Sequence, residues 1–251
     1  MFPIITLSYV LRLLSVALLF ADFGSSDTSP KKVPTGFAVV ELFTSEGCSS
    51  CPAADEVIIE LSKEFSNKVY FLGYHVDYWN YLGWKDEFSS KSFTDRQSRY
   101  ANKFNLSSIY TPQVVVNGKK EFVGSDEDKL RQTINNELRS NPAITIELSA
   151  KSDKDNKIEV TYSITSNETN KQLMIALVQL MATTNVKRGE NRGHALKHIN
   201  IVRDLKMTDK KNDSIQFVLP AGLLTKDVKI IGFLQDKNDL KIVSATEAII
   251  K

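Results

Sequence analysis

Cys48 and Cys51 are the only thiols in this 251-residue chain, and only Ser49 and Ser50 separate them. A pair at this spacing can close a disulfide, exchange that disulfide with another dithiol, or offer two soft ligands to a metal. A purely structural disulfide is one reading. By the chain-entropy model, however, so short a loop gains only about 2 kcal/mol, against about 5 for a loop of a hundred residues. A zinc site is a second reading, but zinc normally takes four ligands and the chain has no second C-x-x-C. The third reading is dithiol redox chemistry, and the flanking residues favour it.

The apolar run 37–43 reads as a buried strand leading into the motif. Pro52 opens an amphipathic helix whose apolar positions are Ala54, Val57, Ile58, Leu61 and Phe65. Proline suits the first helical turn, where its missing N–H would have had no partner. The cysteines therefore sit at a strand-to-helix turn, against the positive end of a helix dipole, which stabilises a thiolate. Residues 69–76 form a second apolar strand, and strand, helix and strand together make a βαβ unit with parallel pairing.

An aromatic segment follows at 77–86 and carries both tryptophans, Trp79 and Trp84, with Tyr81 between them. A helix is expected over 88–104, with Phe93, Gln97, Tyr100 and Phe104 on one face. Thr111-Pro112 then leads into the strand 114–116. Asn117-Gly118 is a two-residue hairpin turn, and 120–123 returns as the partner strand. Ser125 to Asp128 carry a capping-box pattern, with Leu130, Ile134 and Leu138 as the buried stripe behind it.

From residue 143 the pattern changes to short alternating strands divided by polar turns, which argues a β-rich, sandwich-like unit. The expected organisation is α/β: a signal peptide or N-terminal anchor at 1–25, a flexible leader at 26–36, a first domain at 37–141 and a β-rich domain at 142–251. The apolar run at the N-terminus is interrupted by Arg12, and its unbroken part, 13–21, is too short to span a bilayer. It fits the core of a secretory signal, with an uncleaved anchor as the competing reading. Export to the periplasm or cell envelope would place the cysteines where disulfides persist. A formal charge of +2, with signs evenly mixed, gives no case for nucleic acid.

The element order of residues 37–140 resembles the thioredoxin superfamily. More narrowly, Glu41 to Pro52, His75 to Trp79, Tyr81 to Asp86 and Tyr110 to Gln113 resemble the DUF1223 family of exported thioredoxin-like proteins. So do Arg188-Gly189-Glu190-Asn191 and the residues Leu196, His198, Asn200 and Val202-Arg203. The resemblance implies an α/β fold with a thioredoxin-like domain and a helical insertion. It makes Cys48 the attacking thiol, the more exposed of the two, and Cys51 the resolving thiol. It implies a cis-proline at Thr111-Pro112 beside the pair, shaping a groove for a peptide substrate. It also points to Glu41 as a buried acid, although that residue stands one position farther from the first cysteine than in thioredoxins.

His75 and Asp77, two apart on an extended strand, would face one side and tune the thiols. Trp79, Tyr81 and Trp84 would either wall a groove or pack the inserted helix on the sheet. Arg96, Gln97 and Tyr100 could reach that groove. His194 and His198 have the spacing of two ligands on one helical face, but no glutamate follows His194 as a zinc-protease motif requires, and no metal or other cofactor is expected. Arg188, Glu190 and Asn191 read as a structured loop. The expected partners are cysteine-containing proteins or small thiols. The alternatives are a non-catalytic assembly module with a closed disulfide, or a Cu(I) chaperone using Cys48, Cys51 and His75.

Overall fold

Two fully buried strands in the first third of the chain seed the architecture. β1 (Ala38–Thr44) and β2 (Val69–His75) are buried along their whole length and pair in parallel through α1 (Cys51–Glu64). The computed structural model describes residues 36–251 apart from 66–67, 141–143, 155 and 167–169, and these belong to one compact unit. The expected signal or anchor at 1–25 and most of the leader lie outside the described residues. Among the described residues, no helix is long and apolar enough to cross a membrane.

After β2 the chain makes a short 3-10 turn at Asn80–Leu82 and enters α2 (Lys91–Phe104). This helix begins three residues later than expected because Ser90 caps it, its hydroxyl accepting from the Ser92 N–H. β3 (Gln113–Val116) and β4 (Lys120–Val123) form the expected hairpin. Asn117 and Gly118 both have positive φ, as a tight two-residue turn needs. Gly118 is required for a second reason: a Cβ there would lie 2.0 Å from the Leu240 carbonyl oxygen. α3 (Glu127–Glu137) is capped by Asp126, which accepts from the Lys129 N–H.

The remaining strands are β5 (Ile146–Ser152), β6 (Lys157–Ile164), β7 (Lys171–Asn185), β8 (Ala195–Thr208), β9 (Asn212–Val218), β10 (Val228–Asp236) and β11 (Ile242–Ala248). Four of them extend the first sheet, giving an eight-stranded order β11-β10-β7-β8-β2-β1-β3-β4. The junction is narrow: β2 meets β8 in parallel at Gly73 and Ile201. β5, β6 and β9 form a separate three-stranded sheet. The expected boundary at 141–142 touches undescribed residues, and strands from both sides of it share the large sheet.

Strand alternation sorts side chains between the two faces. On one face, Val40 and Leu42 of β1 pack with Ala54, Ile58 and Leu61 of α1 and Leu130 and Ile134 of α3. Farther along the same face, the small sheet covers Leu173, Ile175 and Leu177 of β7 with Ile158, Val160 and Phe217, making the expected sandwich. On the opposite face, Phe43, Tyr74, Phe93 and Tyr100 form one core with Met174 and Phe233 from the second half. A buried ion pair pins this face: Arg96 Nε donates to Glu41 Oε1 at 2.6 Å and its Nη1 to Gln235 Oε1 at 3.1 Å. The guanidinium lies 5.3–5.5 Å from the ring centres of Tyr74, Tyr100 and Phe233.

Candidate functional site

The turn between β1 and α1 is built by its own backbone. The Cys48 N–H donates to the Ser45 carbonyl and the Cys51 N–H to the Cys48 carbonyl, each at 3.2 Å. This brings the two cysteines together as a disulfide at the first residue of α1. Gly47 is needed because Trp79 lies against it, and a Cβ there would sit 2.9 Å from the Trp79 Cβ. Ser49 and Ser50 are exposed, and the Ser50 hydroxyl lies 3.4 Å from the Cys48 sulfur.

The expected exposure of Cys48 is overturned. Its relative exposure is 0% and that of Cys51 is 1%. The loop 186–194, between β7 and β8, is fastened to this turn. Asn191 donates its side-chain amide to the carbonyls of Glu46 and Cys48, each at 2.9 Å. Glu190 Oε2 accepts from the Ser49 N–H at 2.9 Å, and the Ser49 side chain first, with this N–H second, holds the Glu190 carboxyl below its ordinary pKa. The loop thus straps the C-x-x-C turn from outside.

The aromatic segment brackets the same turn. Trp84 Nε1 donates to Glu46 Oε2 at 2.7 Å, and Trp79 Nε1 to the Thr111 hydroxyl at 2.8 Å. The Thr111-Pro112 bond is cis. Pro112 and Ala54 of α1 approach the same point beside Gly124, which puts the proline next to the helix that begins at Cys51. Gln97 reaches this segment, donating to the Tyr110 carbonyl at 2.7 Å and to Gln113 at 3.0 Å. Tyr81, at 79% exposed, takes no part.

Below the turn lies a cluster of buried charged groups. Asp86 is its fixed point: it accepts from the backbone N–H groups of Glu46 and Phe88 and meets His75 Nδ1 at 2.7 Å. Burial works to raise the Asp86 pKa, but His75 and these bonds outweigh it and hold the carboxyl below its ordinary value. His198 of β8 stands beside, its ring 4.7 Å from that of His75. Its Nδ1 is 3.3 Å from Asp55 and its Nε2 3.6 Å from Glu46. Burial alone would strip the proton from His198, yet the two carboxylates prevail and push its pKa up to about 10. These contacts are at ion-pair distance but lack hydrogen-bond alignment: both His198 nitrogens and Glu46 Oε1 make no hydrogen bond among the described residues.

Other sequence expectations land elsewhere. Glu41 points to the α2 face, opposite the cysteine helix, and is held by Arg96 and the Tyr100 hydroxyl. The strand ends at His75, so Asp77 does not share its side; it accepts from the Thr94 hydroxyl at 2.6 Å. His194 and His198 are not on a helix. His194 sits in the exposed loop, while His198 lies on β8. Among the described residues, no group of three or more His, Cys, Asp and Glu side chains is poised around a metal.

Sequence reasoning did not assign Asp55, Glu46 or Asp86 to the site. Their charges look like ordinary helix and loop residues until β8 is placed beside them.

The match that decides the family covers residues 39–235, the greater part of the chain, with the model described as protein of unknown function, DUF1223. The chain belongs to the DUF1223 family. A crystal structure of a protein from Agrobacterium tumefaciens superposes on this DUF1223 chain with a TM-score of 0.63 at 29% identity, covering 84% of this chain and 92% of that one. A probable thioredoxin from Methanothermobacter thermautotrophicus is 30% identical over 100 residues, which is 39% of this chain and 94% of the relative. The DUF1223 fold is thus a thioredoxin-like core joined to a β-rich region.

Proposed function

We propose that this DUF1223 protein is a dithiol–disulfide oxidoreductase working outside the reducing cytosol, on cysteine-containing proteins or small thiols. One observation carries the reading: the Cys48–Cys51 disulfide forms at the first residue of α1, with the cis Thr111-Pro112 segment brought to the same helix. A similarity to a probable thioredoxin across nearly that protein's whole length supports it.

Cys48 attacks the substrate sulfur, and Cys51 then closes on Cys48 to release the second thiol. Because both sulfurs are covered, the loop carrying Glu190 and Asn191 lifts before a substrate sulfur can approach in line. Thr111 and Pro112 border the groove so opened, while His75 acts from below through its bond to Asp86. The test is insulin or glutathione disulfide reduction by the full chain, with a measured reduction potential. Loss of turnover in Cys48→Ser supports the reading, and full turnover in that variant removes it.

The burial of both cysteines also favours a second reading, a binding module whose disulfide stays closed. A very low reduction potential with no turnover would select it.

A further inference from the structure

Cys51 is 1% exposed, so water cannot readily take its proton. Glu41 cannot take it either, being on the other face of the sheet and held by Arg96 and Tyr100. Resting on the oxidoreductase reading above, we infer that Asp55 accepts the Cys51 proton during disulfide closure, and that His198, held between Asp55 and Glu46, positions and charges the site for it.

The placement of three residues carries this. Asp55 follows Cys51 by one helical turn on α1, so the two side chains are neighbours, with about 5–6 Å between Cβ atoms. Glu46 lies two residues before Cys48, on the other limb of the turn. His198 comes from β8, outside the thioredoxin-like core, and touches both limbs at once. The Asp55 carboxyl is 12% exposed and His198 2%, so their charges interact with little screening.

What separates this unit from ordinary packing is that its bonds are unfinished. The neighbouring His75–Asp86 contact is a complete hydrogen bond at 2.7 Å, reinforced by two backbone N–H donors. His198, by contrast, has two buried nitrogens without a hydrogen bond, and Glu46 Oε1 likewise. The Asp55 carboxylate therefore faces His198 as a charge partner and is not tied up in a closed hydrogen bond to it. Every packed element contributes a charge or ring: Glu46 from the turn, Asp55 from α1, His75 from β2, Asp86 and Phe88 from the segment after it, and Arg203, stacked over Phe88, from β8 itself.

The step balances as follows. In the mixed disulfide, Cys48 is bonded to the substrate sulfur and Cys51 carries its proton. The proton passes to the Asp55 carboxylate, and the positive His198 stabilises the growing thiolate. The Cys51 sulfur bonds to the Cys48 sulfur as the Cys48–substrate bond breaks. The substrate leaves as a thiolate, and Asp55 gives up its proton through solvent to that thiolate, which restores the carboxylate. Two electrons have moved from the protein dithiol to the substrate disulfide.

The full chain, fully reduced and mixed with 5,5′-dithiobis(2-nitrobenzoate), gives the test. Each turnover releases thionitrobenzoate twice: first when Cys48 attacks, then when Cys51 closes the disulfide. In Asp55→Asn and His198→Gln, the first release is expected at the wild-type rate and the second to slow by about a hundredfold at neutral pH. The second release in Asp55→Asn should also rise with pH, because hydroxide must then take the Cys51 proton in place of the carboxylate. Asp55→Glu, which keeps the carboxylate, should restore most of the second rate. Asp55 is at the edge of the cluster, so its variants report even where His198→Gln folds poorly. Two releases in wild type with an undisturbed second release in Asp55→Asn would overturn this inference alone. No release in wild type would overturn the oxidoreductase reading and this inference with it.

Discussion

The side-chain amide of Asn191 holds the carbonyl of Cys48 at 2.9 Å across 143 residues of sequence. The same amide holds the Glu46 carbonyl, so one buried residue fastens both sides of Gly47. Replacing Asn191 by alanine leaves two carbonyls without that partner, at a cost of roughly 1–3 kcal/mol where they stay buried. The loop then releases the turn. Asn191→Ala should lower the urea midpoint modestly and speed reduction of the disulfide by dithiothreitol several-fold. An unchanged reduction rate would mean that the loop does not limit access.

The Glu190 contact predicts a different signature. Its carboxylate sits on the Ser49 N–H at the mouth of α1, where a Cys48 thiolate would otherwise gain from the helix dipole. Glu190→Gln removes that negative charge while keeping an acceptor oxygen. The Cys48 thiol should then ionise at lower pH than in wild type, read from the pH dependence of iodoacetamide alkylation of the reduced chain. A titration moved upward would contradict the arrangement.

The first half of this fold was largely legible in the sequence because its signals are local. β1 and β2 are continuous apolar runs, Pro52 marks the start of α1, and Asn117-Gly118 marks the hairpin. The strap on the Cys48 turn was not legible, because Glu190 and Asn191 reach it from another part of the chain. β8 is hard to read for a related reason. Lys197, His198, Asn200 and Arg203 look like loop residues, yet His198 is buried because Glu46 and Asp55 meet it across the sheet junction. Glu41 shows the converse: the family resemblance implies its burial, but its partner Arg96 sits on an inserted helix whose orientation no periodicity gives.

That Arg96–Glu41 pair leads to a stability prediction. Both groups are almost wholly buried, and the guanidinium is further held by Gln235 and the Tyr100 hydroxyl. Removing one partner strands the other charge, which typically costs about 3–5 kcal/mol. Arg96→Met should lose that much in urea unfolding. The double variant Arg96→Met with Glu41→Leu should recover a large part of it, since no charge is then left unpaired. Equal losses in the single and double variants would show that the ring contacts of Arg96, not its charge, carry the effect.

The pH dependence of stability follows from His198. Burial opposes its charge, but Asp55 and Glu46 raise its folded pKa from 6.5 to about 10. A raised pKa means that the folded state binds the proton more tightly than the unfolded chain. The stabilisation is therefore fully present below about 6.5, fades as pH rises, and is gone above about 10. Asp86 acts at the other end: its depressed pKa gives stability that is lost as pH falls through the acid range. Urea midpoints of the oxidised protein should decline between pH 7 and 10, and His198→Gln should flatten that decline while leaving the acid-side loss in place. A variant that keeps the wild-type slope above neutral pH would mean that the two carboxylates do not hold a proton on His198.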